Sequence, residues 1–508
     1  MTTASQTIRR ARPTRPPRLA RSSRGALALT GASAIRLIVQ FAMLPVLARL
    51  IGPSEYGLIA LAMPFILLAN VLSDGGMGYA LGRQQNATRQ QESSVFWLSG
   101  AIGLTLASAC ALAAWPMGAL LNQPRLPLLI VALSPILLMN SLTAVSNGRI
   151  IRERRFGAFA AGDLISTAAG AATAFAAALA GWGAWALVAQ QLALWICKMV
   201  WVVWKGGVSI QLHYRFEEAR DLLTFGVHTI GATLADFVSR NLDSLIVGGV
   251  LGTTVLGYYA MAYQVVRVPD MLISGPLYLY IFTAVARADA DPSRSDIHAL
   301  AAAGLRLGSA TLAPLFLGLA LIADLAVALV LGEAWRGAVA PMRWLAAAGF
   351  FFCMCSIMAT TLVGLGRAGL RLKLSLLLGI LTLGAVALTV SQGLTALSAA
   401  VAAAMAVVCA CYLLALARDL KMPIRRLMAA FGPAAMSSGV MAAAILAVRA
   451  LIGEAPPIAQ FLILLGVGAV AYLSVLAVCG RRRLLQDLQV FGRAQDDGER
   501  LPAATRPY

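Results

Sequence analysis

Asp236, Arg240 and Asp243 stand at i, i+4 and i+7 inside an otherwise apolar stretch. That spacing puts all three side chains on one face of a helix. Two hundred positions earlier, Arg36 corresponds to Asp236 and Gln40 to Arg240. Asp74, Arg267 and Asp270 add further charges within apolar runs. Each such group costs at least ~2.5 kcal/mol in hydrocarbon unless it is paired or wet, so these residues either line a pathway or form a buried ion-pair network. If two similar halves pack about a pseudo-twofold axis, Arg36 and the Asp236–Arg240–Asp243 stripe face one another across a central cavity. A network that docks the halves is the other reading, and the two are compatible.

The same offset recurs as a sequence repeat. Residues 49–62 read RLIGPSEYGLIALA and residues 249–262 read GVLGTTVLGYYAMA, with Gly52/Gly252, Gly57/Gly257, Ala60/Ala260 and Ala62/Ala262 coinciding. Each copy lies between two long apolar runs, so the repeat unit is a membrane hairpin and the chain reads as two similar halves. Many secondary transporters are built this way, with the substrate site between the repeats. Pro64 and Pro269 remove backbone donors inside their helices, which predicts kinks. Gly75 and Gly275 also match at this offset, and close helix packing accounts for such glycines.

Composition agrees with a membrane reading. The chain is 59% hydrophobic and 12% charged, with mean hydropathy +0.78, against roughly 25% charged in soluble domains. About 20 apolar residues cross the hydrocarbon core. On that measure the sequence predicts fourteen spans, near 26–50, 56–79, 94–115, 126–147, 157–180, 184–204, 222–250, 255–285, 303–331, 338–364, 374–391, 395–416, 429–451 and 458–479. The expected fold class is all-α and polytopic, with two parallel six-helix pseudo-repeats and two extra carboxy-terminal helices. The domains are an Arg-rich tail (1–25), a first half (26–204), a linker (205–221), a second half (222–416), an added hairpin (417–480) and a polar, mobile tail (481–508).

A net charge of +19 raises the question of nucleic acid, but the basic residues lie in short clusters between spans rather than on one domain. They alternate from side to side. One set of connections holds the arginines of the amino-terminal tail, Arg149, Arg152, Arg154, Arg155, Arg367, Arg371 and Arg481–Arg483, whereas the opposite set holds only Arg125 and Arg336. The positive-inside rule then makes both termini cytoplasmic. Lys198 and Arg306 stand near cytoplasmic ends and are expected to snorkel. Tyr56, Tyr258, Tyr259, Trp182, Trp185 and Trp335 read as an interfacial belt. The seven cysteines fall in or at the ends of spans and the three histidines are scattered, so no metal site is expected.

The runs LIGPSEYGLIALAMPF and LSDGGMGYAL, and RNLDSLIVGGVLGTTVLGYYAMAYQVVRVPDML in the second half, resemble the helical hairpins of bacterial polysaccharide exporters of the Wzx type. These motifs cover residues 45–80 and 238–290; Glu55 and the long Arg-rich amino terminus depart from the pattern. The resemblance implies a MATE-like fold and a flippase of the bacterial inner membrane, not an enzyme. Its cargo would be undecaprenyl-pyrophosphate-linked oligosaccharide for O-antigen, capsule or exopolysaccharide, moved by alternating access. The partners implied are that lipid-linked oligosaccharide, membrane lipids and other polysaccharide-assembly proteins, with no nucleic acid and no cofactor. Under this resemblance Arg36, Gln40, Arg240 and Arg267 are candidates for the pyrophosphate, since guanidinium groups offer forked donors to its oxygens. Asp74, Asp236, Asp243 and Asp270 are candidates for a coupling ion, H⁺ or Na⁺. The alternatives are a MATE-like cation-coupled drug antiporter and a polysaccharide polymerase or ligase; the latter is disfavoured because the outer connections are short.

Overall fold

A computed structural model of the protein describes residues 19–74, 81, 88–207, 211, 213–215, 241–271, 275–290, 297–453, 455–480 and 486–487. Among them, twelve helices are long and apolar enough to cross a membrane. Helices satisfy every backbone group internally, which is why a chain of apolar runs resolves into them. The first set is α1 (Leu19–Ile51), α2 (Pro53–Asp74), α3 (Arg89–Leu120), α4 (Leu126–Arg152), α5 (Phe156–Leu179) and α6 (Ala184–Gly206). The second begins with α7 (Asn241–Leu251), α8 (Thr253–Pro269), α9 (Gly275–Ala290) and α10 (Ile297–Leu321). It continues with α11 (Val339–Gly364), α12 (Ala368–Thr389) and α13 (Leu394–Asp419). A closing hairpin, α14 (Gly432–Ile452) and α15 (Pro457–Cys479), follows.

The count differs from the fourteen spans expected. The seventh, 222–250, lies outside the described residues as far as 240. The eighth, 255–285, is divided between α8 and α9. Pro269 has no N–H to continue the ladder, and a wide π-type turn follows at residues 270–271, a place where helices change direction. Helix α1 starts at Leu19, ahead of the expected 26.

The packing order of the first set recurs in the second. Helix α3 packs on α4, α4 on α6, α5 on α6 and α2 on α4; correspondingly α10 packs on α11, α11 on α13, α12 on α13, and α8 and α9 on α11. The two sets meet chiefly where α2 crosses α8. Gly52 and Gly252 turn the chain into these helices with φ of +80° and +84°, a left-handed conformation that a side chain resists. One turn further in, Gly57 and Gly257 face each other. A methyl group on Gly57 would lie 1.7 Å from the Thr253 carbonyl oxygen, and one on Gly257 would lie 2.1 Å from that of Pro53. Each glycine therefore receives the carbonyl that stands four residues before its counterpart. This end of the bundle is called the glycine end below, and the other the arginine end.

The closing hairpin is fastened to α10 at three levels. Within α10, Pro314 leaves the carbonyl of Ala310 without its amide donor, and the buried hydroxyl of Tyr472 on α15 donates to that oxygen at 2.7 Å. Toward the glycine end, Arg449 donates to the Leu321 carbonyl at 3.2 Å and pairs with Asp324, which also receives Arg343. Toward the arginine end, Arg306 makes a forked pair with Asp487, Nε–Oδ2 2.8 Å and Nη2–Oδ1 2.7 Å. Arg306, expected to reach out to water, is instead paired, and Asp487 is only 3% exposed; the rest of the tail after Arg483, apart from Gln486, lies outside the described residues. A buried carboxylate needs such a partner.

Tyr472→Phe is expected to lower stability in detergent by about 1 kcal/mol, the scale of a hydrogen bond between membrane helices; an unchanged melting temperature would refute the docking role. Gly57→Ala is expected to force α2 from α8. It would raise maleimide labelling of a cysteine placed at Leu61, a fully buried position, several-fold above its rate with Gly57 intact.

Candidate functional site

The second set carries two carboxylates held by neutral donors. Asp243, 6% exposed on α7, accepts the Tyr259 hydroxyl of α8 at 2.8 Å and the Ser244 amide at 2.7 Å. The Tyr259 ring meets Tyr263 edge-on at 5.3 Å. Asp270, at the break after α8, accepts from the Tyr278 hydroxyl of α9 at 3.1 Å and the Cys353 thiol of α11 at 3.5 Å. Among the described residues neither has a cationic partner. An intramembrane carboxylate in such a setting is suited to take up a proton or a small cation.

The first set carries the opposite charge. Arg36 of α1, Asp163 of α5 and Lys198 of α6 form a triad: Lys198 Nζ lies 2.9 Å from Asp163 Oδ1, and Arg36 Nη1 lies 3.9 Å from Oδ2. The ammonium also stands 5.5 Å from the Trp195 ring centre and 5.8 Å from that of Phe159. Lys198 is thus held inward by Asp163 rather than snorkelling. Asp163 escaped the sequence reading, although it and Lys198 stand 18 and 17 residues either side of Gly181, which places them level in an antiparallel pair. Gln40 is exposed one turn from Arg36, and Arg267 is exposed just ahead of Asp270. The side chain of Asp74, together with Asp236 and Arg240, lies outside the described residues, and so does the expected facing of Arg36 with Asp236 and of Gln40 with Arg240.

The glycine end is closed by more than the glycine crossing. Trp335, between α10 and α11, is fully buried and donates its indole N–H to the Ala48 carbonyl of α1 at 2.9 Å. Its ring lies edge-on to Tyr56 at 5.7 Å and to Tyr258 at 6.2 Å. Arg49 of α1 donates to the Val330 carbonyl at 3.2 Å and to that of Leu329, capping the π-helical turn Val327–Leu331. Trp335 and Tyr259, read from sequence as interfacial, are interior residues. Glu55 is accounted for too: it takes a forked pair from Arg125, at 2.5 and 3.0 Å, and the Ala184 amide at 2.9 Å. Those bonds tie the start of α2 to the start of α6.

At the arginine end, much of the positive charge is internally paired. Glu92, 4% exposed, holds Arg152 at 2.5 Å with Arg149 at 4.0 Å. The hydrogen bond from Arg149 keeps the Glu153 carboxyl below the usual carboxylate range. Arg155 donates to the Lys205 carbonyl at 2.8 Å, and Arg367 pairs with Asp419 at 2.9 Å.

Two helix sets that meet chiefly at one crossing, with charged side chains inside their membrane-spanning helices, define the class of a polytopic membrane protein. The fold agrees with that of a solved lipid II flippase MurJ in an inward closed conformation, with a TM-score of 0.73 and 13% identity over 90% of this chain and 100% of that one. An inward-facing multidrug resistance MATE family transporter of the MOP superfamily aligns with a TM-score of 0.58 and 15% identity, over 76% of this chain and 98% of that one. The profile of the family described as Polysaccharide biosynthesis protein matches residues 46–340, over half of the sequence, and the chain belongs to that family. It is 24% identical over 349 residues to the succinoglycan biosynthesis transport protein ExoT of Rhizobium meliloti, covering 69% of this chain and 70% of that one. It is also 24% identical over 336 residues to the lipopolysaccharide biosynthesis protein WzxC of Escherichia coli, covering 65% and 67% respectively. The chain is a multi-pass membrane protein of a polysaccharide-biosynthesis transport family, and not an enzyme.

Trp335→Phe removes the indole donor and keeps an aromatic wedge. Amide hydrogen exchange across residues 327–338 is expected to quicken several-fold, and further in Trp335→Ala; unaltered exchange in both variants would show that the closure does not depend on this residue.

Proposed function

We propose that the protein is a flippase carrying undecaprenyl-pyrophosphate-linked oligosaccharide repeat units across the bacterial inner membrane, for O-antigen, capsule or exopolysaccharide. The observation that carries this reading is the family match across residues 46–340, which includes both copies of the hairpin and the helices bearing Arg36's partners. In this reading the chain crosses the membrane fourteen times, the seventh crossing running from 222 to the end of α7 and the eighth combining α8 with α9. Both termini are cytoplasmic, so the glycine end is periplasmic. The halves 26–204 and 222–416 rock about the α2–α8 crossing, and 417–480 travels with α10.

The pyrophosphate carries more negative charge than a low-dielectric cavity tolerates without cations. Arg36, Arg240 and Arg267, with Gln40, meet that need by forked hydrogen bonds. The carboxylates Asp74, Asp236, Asp243 and Asp270 offset those cations while the cavity is empty. Uptake of H⁺ or Na⁺ by one of them frees the arginines for cargo and couples transport to an ion gradient. Two of the four, Asp243 and Asp270, have only neutral donors around them among the described residues, which supports that role.

Deletion of the gene is expected to make lipid-linked repeat units accumulate in the cytoplasmic leaflet, with loss of the surface glycan and recovery on complementation. Unchanged glycan with altered drug tolerance would overturn the reading. Asp243→Asn is expected to abolish the ion dependence of flipping in proteoliposomes; the same dependence and rate as the parent would exclude Asp243 from coupling.

A further inference from the structure

The Arg36–Asp163–Lys198 triad has two cations and one carboxylate, all within membrane-spanning helices. Asp163 stands about 10 Å from the arginine-end start of α5 and Lys198 about 12 Å from the end of α6, at 1.5 Å per residue. Both side chains are 21% exposed and Arg36 is 45% exposed, so the cluster is not sealed inside the bundle. Its members are unequally satisfied. Asp163 holds Lys198 at 2.9 Å, whereas Arg36 lies 3.9 Å off, beyond a normal hydrogen bond. A surplus positive charge at this depth is stable only beside water or an anion. The pairing is also built to last: Phe159 and Trp195 flank the ammonium, a favourable setting for a cation over ring faces.

In the second half, by contrast, Asp243 and Asp270 accept only from neutral donors among the described residues. The cluster on α1, α5 and α6 instead sets two cations against one carboxylate. We propose that Lys198 joins Arg36 in an anion subsite on the first half, taking the phosphate oxygens of a prenyl-linked cargo, with Asp163 as its resident counter-charge. Asp163 occupies the ammonium until a phosphate group supplants it. This deepens the flippase reading, and rests on it for the cargo; neither the cationic lysine nor its aspartate follows from the arginine set named above.

The test uses the purified full-length protein in detergent, with farnesyl pyrophosphate as the probe and farnesol as the uncharged control, titrated by calorimetry. Lys198→Gln is expected to weaken pyrophosphate binding about tenfold or more, the scale of one lost charge-assisted contact, with Lys198→Arg recovering most of it. Asp163→Asn is expected to tighten binding, because it removes the competing anion; a role that is only structural would weaken it or leave it unaltered. Because Lys198→Gln alone strands a buried carboxylate, the double variant Asp163→Asn/Lys198→Gln keeps the shape without either charge and is expected to bind as weakly as Lys198→Gln. Parental affinity in both Lys198→Gln and the double variant would overturn the subsite. Failure of the parent protein to bind farnesyl pyrophosphate more tightly than farnesol would instead count against the flippase reading itself.

Discussion

The close approach of Gly57 and Gly257 sets the geometry on which the rest of the molecule depends. Two helices can touch backbone to backbone only where neither carries a side chain, and here each inserts a carbonyl into the space the other leaves empty. The contact is reciprocal, residue for residue at an offset of 200, so it lies on the approximate symmetry axis of the pair. In the proposed rocking, a joint on that axis would let the halves tilt while the chain connections on either side move little. Trp335, Arg49 and the two tyrosines then act at a distance from the pivot, where a small tilt separates groups by a larger amount. Three of these bonds end on backbone carbonyls of α1 and the Val327–Leu331 turn.

Charged groups inside the membrane-spanning helices are held differently in the two halves. In the first, Asp163 is paired with Lys198 and Arg36; in the second, Asp243 and Asp270 accept from tyrosine, serine and cysteine donors among the described residues. The glycine-end ion pairs differ in kind: Glu55 with Arg125, and Glu333 with Arg336 at 2.8 Å, lie within one half each and hold turns rather than halves.

What could be read from the chain in advance depended on the length scale of the signal. The repeat matched Gly57 with Gly257, and the structure shows why both are glycine: each receives a carbonyl from the other helix. Hydropathy found the helices but gave no sign of the break after Pro269, where one apolar run divides into α8 and α9. It also placed Trp335 and Tyr259 at the interface, since an aromatic near a span boundary has the same sequence signature whether lipid or protein covers it. Asp163 and Asp487 were overlooked for a different reason. Their partners, Lys198 and Arg306, were treated singly as side chains reaching for water, and no one-dimensional pattern shows that a carboxylate waits on a neighbouring helix. Counting outward from the Gly181 turn would have found the first pair. The second joins residues 181 positions apart and had no local signal.

The hydroxyl of Tyr472 on the Ala310 carbonyl bears on how the protein is made. Helix α10 enters the membrane with one carbonyl that its own proline has left bare, and the group that satisfies it is 162 residues further along. At synthesis rates of about 5–20 residues per second, the wait is roughly 8–30 seconds. During that interval α10 holds an unmet acceptor at the depth where such groups are most costly. The nascent chain is therefore unfinished in an energetic sense until α15 is in place. A truncated product that has both halves but lacks α15 would present that exposed acceptor to the quality-control proteases of the membrane.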